Sequence, residues 1–347
     1  METWLAATYA TLHFPNNAVC FLFIQILNTL FIHHHYKDTI KTMKILQNIL
    51  TKLTPMILVG SIIFSSCETP IDIDYIDFEP YAVVSVHGNT DTMVNMRLTY
   101  SRWFLSEQEF TVINNANANL LVNGTESISG FYNSADKRYY FDSYIPQSGD
   151  KLDLSVNIPD HEQITASCIV PHKPEISSFS FDTTYQYNTI SQIEFVLHDN
   201  HSEDNFYMLE LFYLYEDYYD STTISMEPIY FSIDDVTLVD PMDLESMIEG
   251  DYSVYTRRFV FTDSKINGEN HKIKMDINDY YWPNGGILKI SALTEDEYLY
   301  LVSRERAYNN NDFFAEPVQV HTNISNGIGI FSVANTLYQS FDPNYYQ

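Results

Sequence analysis

The chain has 347 residues, 45% hydrophobic and 15% aromatic, a composition that argues against disorder and leaves room for two ordinary domains with their own cores. Lys and Arg number 18 against 46 Asp and Glu, a formal charge of −28. The first 66 positions hold four lysines and two acids, so the remainder carries 14 basic against 44 acidic residues, −30, a surface that repels nucleic acid and anionic headgroups and better suits cations or basic proteins.

Residues 1–42 contain an apolar stretch from Ala18 to Ile32, too short for the roughly 20 residues that span hydrocarbon and interrupted by Gln25 and Asn28. They read as a mis-called upstream extension, with translation starting at Met43. Residues 43–66 then have the three regions of an export signal in order: Lys44 and Lys52, the apolar run Met56–Phe64, and the small pair Ser65-Ser66. Cys67 follows at once, as in the bacterial lipobox, with Phe64 where Leu is usual. Cys67 is therefore expected to carry the lipid that holds the mature chain to the membrane, and residues 67–80 to be an acidic tether.

From Tyr81 to Val170 the chain alternates in short segments: Ala82–Val86, Met93–Leu98, Asn119–Val122, Arg138–Phe141 and Leu152–Val156. Gly88-Asn89 and Asn123-Gly124 are turn signals between them. About seven strands at this spacing predict an N-terminal β-sandwich of immunoglobulin-like or transthyretin-like type over 81–170. Pro171-His172-Lys173-Pro174 breaks any strand, so residues 171–175 read as a linker between two independent cores.

Residues 176–347 are predicted as a second β-rich domain, with strands near Ile176–Phe181, Gln192–Leu197, Phe206–Tyr215, Tyr252–Thr262, His271–Ile277 and Ile287–Ala292. One helix is expected after Thr294: Thr294-Glu295-Asp296-Glu297 is a capping box, Tyr298, Leu301 and Val302 make an apolar stripe, and Arg304 and Arg306 suit the negative end. The fold class is thus mainly β, two sandwich-like domains with one packed helix. Near the C-terminus, Ile328, Ile330 and Phe331 are expected to close the second core, with Gly327 and Gly329 permitting close backbone approach.

Ile287–Leu293, Tyr298–Leu301, Phe314–Val318 and Asn323–Phe331, together with Asp199 through Asn205-Phe206-Tyr207 and Phe261-Thr262-Asp263 with Asn267-Gly268, resemble a family of uncharacterised Bacteroidota lipoproteins built on a domain of unknown function. Genes of that family tend to lie beside TonB-dependent outer-membrane receptors. The resemblance implies a lipid-anchored location at the outer membrane with such a receptor as partner. The acidic start Glu68–Tyr75 resembles the signal that sends lipoproteins of this group to the cell surface. It implies no particular ligand.

No nucleophile elbow, zincin helix, phosphate-binding loop or EF-hand spacing occurs. Gly327-Ile328-Gly329 lacks the third glycine and the βαβ setting of a dinucleotide fingerprint, and Cys168 sits in an alternating stretch as a small buried thiol. His198, Asp199, His201, Glu203 and Asp204 make the densest polar cluster and are the candidate ligands for a divalent cation; an ordinary acidic loop is the competing reading. Asp234, Asp235, Asp240 and Asp243 form a second acidic group. Tyr213, Tyr215, Tyr218 and Tyr219 offer rings on which a sugar or a partner would stack, but alternation assigns half of them to the core, which is the favoured reading. The sequence-level expectation is a non-enzymatic surface lipoprotein without a cofactor, with an adhesion or structural module as the alternative and a hydrolase of unfamiliar site behind both.

Overall fold

The computed structural model describes residues 49, 51, 78–103, 106–184, 189–216, 224–238, 256–281, 284–309 and 317–342. The chain divides into one unit over Met1–Ile76 and another over Asp77–Gln347. Of the first, only Ile49 and Thr51 are described, both helical. Cys67 and the rest of the proposed signal lie outside the described residues.

The second unit is mainly β. Its strands are β1 (Ala82–Asn89), β2 (Asn95–Tyr100), β3 (Asn117–Val122), β4 (Glu126–Asn133), β5 (Arg138–Phe141), β6 (Lys151–Asn157), β7 (Ile164–Ile169), β8 (Glu175–Thr184), β9 (Thr189–His198), β10 (Phe206–Glu216), β11 (Ile224–Pro228), β12 (Phe231–Ser232), β13 (Arg258–Thr262), β14 (Asn270–Tyr281), β15 (Gly286–Leu293) and β16 (Ile328–Phe341). Among the described residues of this unit one helix, α1 (Glu295–Asn309), stands between β15 and β16. A large sheet runs β11-β10-β15-β16-β1-β2-β5-β4-β3-β6-β7, with β13 also on β10, and a second sheet runs β12-β14-β9-β8. Thr165 in β7 bridges to Ser325 just ahead of β16, so the far end of the large sheet curls back on itself.

That curl encloses a first core, which includes Val84, Leu98, Leu120, Phe141, Leu154 and Ile164. The smaller sheet packs on β10 and β15 around a second core, with Phe195, Leu209, Phe231, Phe261, Ile273 and Ile290 among its members. The boundary expected at 171–175 thus falls between two cores, but one sheet passes through both. The joint is β16, which lies antiparallel to β15 and parallel to β1, Val83 opposite Ile328. Side chains alternate along a strand, and one face of β16 gives Phe331 and Val333 to the first core and Leu337 and Phe341 to the second.

This corrects the expected role of the C-terminal segment. Phe331 fills the first core and Ile328 is partly exposed. Gly329 does permit close approach, but to β1: its φ is 118°, and a Cβ there would stand 1.9 Å from the carbonyl oxygen of Val84. Gly88 is not in a turn either. It lies within β1, where a Cβ would stand 2.8 Å from Val333 Cγ2, and the turn follows at Thr90.

Candidate functional site

The faces of β10, β13 and β15 opposite the second core are assembled by alternation. Phe206, Met208, Glu210 and Phe212 point one way from β10, while Tyr207, Leu209 and Leu211 enter the core. Register then sets Glu210 directly opposite Arg258 on one side and Lys289 on the other. Lys289 Nζ donates to Glu210 Oε2 at 2.7 Å and Arg258 Nε to Oε1 at 3.3 Å. The Glu210 side chain is 11% exposed, so one nearly buried carboxylate is matched by two cations, as burial of a charge requires.

Above this face lies α1. Thr294 caps it, Oγ1 accepting from the backbone N–H of Glu297 at 3.1 Å, and its first turn is acidic. Tyr298 and Leu301 pack beside Leu293, with Phe206, Met208 and Val260 against them. The reciprocal half of the capping box is absent because Glu297 reaches across to β1, its Oε1 2.8 Å from His87 Nδ1. The other oxygen, Oε2, is buried with no hydrogen-bond partner. Beneath the helix the sheet face stays polar: Ser291 meets Thr336 at 2.9 Å, and Asn89 donates to Thr336 at 3.0 Å. These groups line a chamber of about 280 Å³ that shares Glu210, Arg258, Leu301 and Arg304 with a wider cavity of about 760 Å³.

The wider cavity lies between the C-terminal half of α1 and the β13 edge. Arg304 and Arg306 come from the helix, Arg257 and Arg258 from the start of β13, and Phe212, Val260 and Leu301 are among its apolar lining. Arg257 stacks over the Tyr230 ring at 4.5 Å and Arg304 over the Tyr300 ring at 5.7 Å. Neither has a carboxylate partner among the described residues. Such a setting holds an anionic group by paired N–H donors while burying an apolar body. Sequence reading noted Arg304 and Arg306 only as helix-end charges and missed Arg257 and Arg258. The signal that pointed to them was the doublet Arg257-Arg258 in so acidic a chain.

The cluster at 198–204 is differently employed. His198 has Asn270 Oδ1 2.5 Å from Nδ1 and Ser177 Oγ 2.7 Å from Nε2. Asp199 accepts from the Tyr207 hydroxyl at 2.8 Å and from the N–H of Gly268 at 2.7 Å. Burial, then the Asp199 carboxylate, push the Tyr207 phenol well up. His201 Nδ1 is 3.2 Å from Asn267 Oδ1, Glu203 pairs with His172, and Asp204 is exposed. Asn205 is held by Asp263, which accepts from its N–H at 2.8 Å and from Nδ2 at 3.2 Å; burial raises the Asp263 carboxyl. Among the described residues no group of three His, Cys, Asp or Glu is placed to hold a metal ion.

In the second acidic group, Asp235 bonds His271 Nε2 at 2.7 Å and Thr237, while Asp240 and Asp243 lie outside the described residues. Burial works to raise the Asp235 carboxyl, and the hydrogen bonds from Thr237 and His271 outweigh it, leaving it below the ordinary range. Tyr213 donates to Glu227 and stacks on Tyr215; Tyr218 and Tyr219 lie outside the described residues. Cys168 is buried, which pushes its thiol up to about 12, so it is inert.

One constellation invisible in sequence has the outline of a catalytic triad. Ser148 Oγ is 2.8 Å from His172 Nδ1, and His172 Nε2 is 3.2 Å from Glu203 Oε1. All three are exposed. The adjoining amides are spent, Gly149 N–H on Val170 and Asp150 N–H on Gln147, and so give no donors for an oxyanion.

Residues 68–340 match the model of a family described as Domain of unknown function (DUF4249). A comparison with curated proteins finds no match.

Proposed function

The chain belongs to the DUF4249 family, and from that membership we propose that it is a non-enzymatic binding protein, lipid-anchored through Cys67 at the outer membrane and facing the cell surface, where it serves a TonB-dependent receptor. The observation that carries the binding role is the cavity between α1 and β13, concave, part apolar, and lined by the guanidinium groups of Arg257 and Arg304, which have no carboxylate partner among the described residues. The signal-like run 43–66, the cysteine after it and the family resemblance support the location.

Palmitate labelling of growing cells tests the anchor: label is expected on the wild type and absent from Cys67→Ala, and label that survives the substitution removes the anchor. Purification from detergent-solubilised outer membrane tests the partner, with a stoichiometric TonB-dependent barrel expected. A surface adhesion module predicts no barrel.

The hydrolase reading has one observation in its favour, the Ser148–His172–Glu203 line. A fluorophosphonate probe is expected to leave Ser148 unmodified. Labelling lost in Ser148→Ala would reverse the assignment to a non-enzyme.

A further inference from the structure

Four of the chain's seven arginines line one cavity of about 760 Å³ in a protein of net charge −28. Among the described residues the cavity's acids are Glu210 and Glu305. Glu210 is committed to Lys289 and Arg258, and Glu305 accepts from the side chain of Asn309 at 3.2 Å. Arg258 uses only its Nε on Glu210, which leaves its two terminal nitrogens without a partner among the described residues. Arg257 and Arg304 lie over tyrosine rings, contacts that use the face of the guanidinium rather than its N–H donors, and no hydrogen bond or ion pair takes those donors among the described residues.

A helix dipole accounts for basic residues at the end of α1, where Arg306 sits in the last turn. It does not account for Arg257 and Arg258, which arrive from another strand. With 46 acids in the chain, arginines ordinarily find carboxylates; among the described residues Arg257 and Arg304 have none and line a concave, partly apolar space instead. There they set up a local positive potential against the acidic surround. The acidic exterior also turns away anions that present only charge, so a ligand needs apolar surface to settle on Phe212, Val260 and Leu301.

We infer that this cavity is the binding site for a small amphipathic organic anion, an apolar body bearing one or two carboxylate or phosphate groups that the guanidiniums of Arg257, Arg258 and Arg304 grip. The inference rests on the binding-protein reading above and names its ligand class. The volume fits a molecule of ordinary small-ligand size.

The test titrates full-length protein in detergent micelles by calorimetry with three probes: naphthalene dicarboxylate, naphthyl phosphate and the neutral dimethyl ester of the dicarboxylate. At least one anionic probe is expected to bind at least tenfold more tightly than the ester. The double variant Arg257→Ala with Arg304→Ala is expected to lose at least tenfold of that affinity at an unchanged melting temperature, and Arg257→Lys with Arg304→Lys to fall between. Stronger binding of the dicarboxylate assigns carboxylates as the recognised group, stronger binding of naphthyl phosphate assigns phosphate. Equal affinity for ester and acid, an unaffected double variant, or no binding of either anion overturns the inference. If the anions fail while the barrel still co-purifies, the ligand class falls and the receptor reading stands; if the anions bind and no barrel co-purifies, the reverse holds.

Discussion

The loop at 198–205 and the arginine cavity differ in what they do with their polar groups. The loop is rich in titratable side chains and uses them on itself: Asp199 ties Tyr207 to Gly268, and Asp263 ties down Asn205. The cavity draws few groups from three separate segments and, among the described residues, leaves the guanidinium donors of Arg257 and Arg304 and the terminal nitrogens of Arg258 unspent. Density of chemistry along the sequence therefore marks a brace here, and unspent hydrogen-bonding capacity marks the site.

Separating stability from binding by substitution is the way to break that comparison. The largest effect on folding is expected from Asp263→Ala, which strands the buried N–H of Asn205: a loss of about 2–3 kcal/mol in urea denaturation, with probe affinity unchanged. A loss of affinity there would mean the loop belongs to the site. Glu210→Ala sits at the junction of both roles. It deprives Lys289 and the half-exposed Arg258 of their shared carboxylate, so stability should drop by about 1–2 kcal/mol and affinity should fall with it, because Arg258 loses the group that orients it. Arg257→Ala with Arg304→Ala should cost less than about 0.5 kcal/mol, as surface changes do, while abolishing most anion binding. The smallest effect concerns pH. Asp235 has a folded pKa below its unfolded one, so it stabilises above the ordinary carboxylate range and that contribution is lost as pH falls through the folded value. Asp235→Asn should flatten this part of the acid limb of a stability profile without touching the titration of the cavity.

Much of the fold was legible because it follows from local rules. Alternation located β1, β6 and β15, and the capping residues located α1. Partnership was not legible: alternation says which face of β16 is buried, never that β1 lies beside it. The motif pieces that carry the family resemblance turn out to be braces, Asn205 with Asp263, Gly268 with Asp199, and Asn323 bonding both the N–H and the carbonyl of Phe331. The candidate site escaped notice because Arg258, Glu210 and Lys289 are distant in sequence and meet only through strand register.

The parallel pairing of β16 with β1 has a consequence for how the polypeptide is made. Parallel neighbours joined by so long an intervening chain have high contact order and form slowly. Until β16 docks, β1 and β15 each present an unpaired edge, the template for aberrant strand addition. A ribosome that stops short of Ile328 therefore releases a product with two open edges and neither core complete, which marks it for proteolysis or aggregation rather than for partial activity.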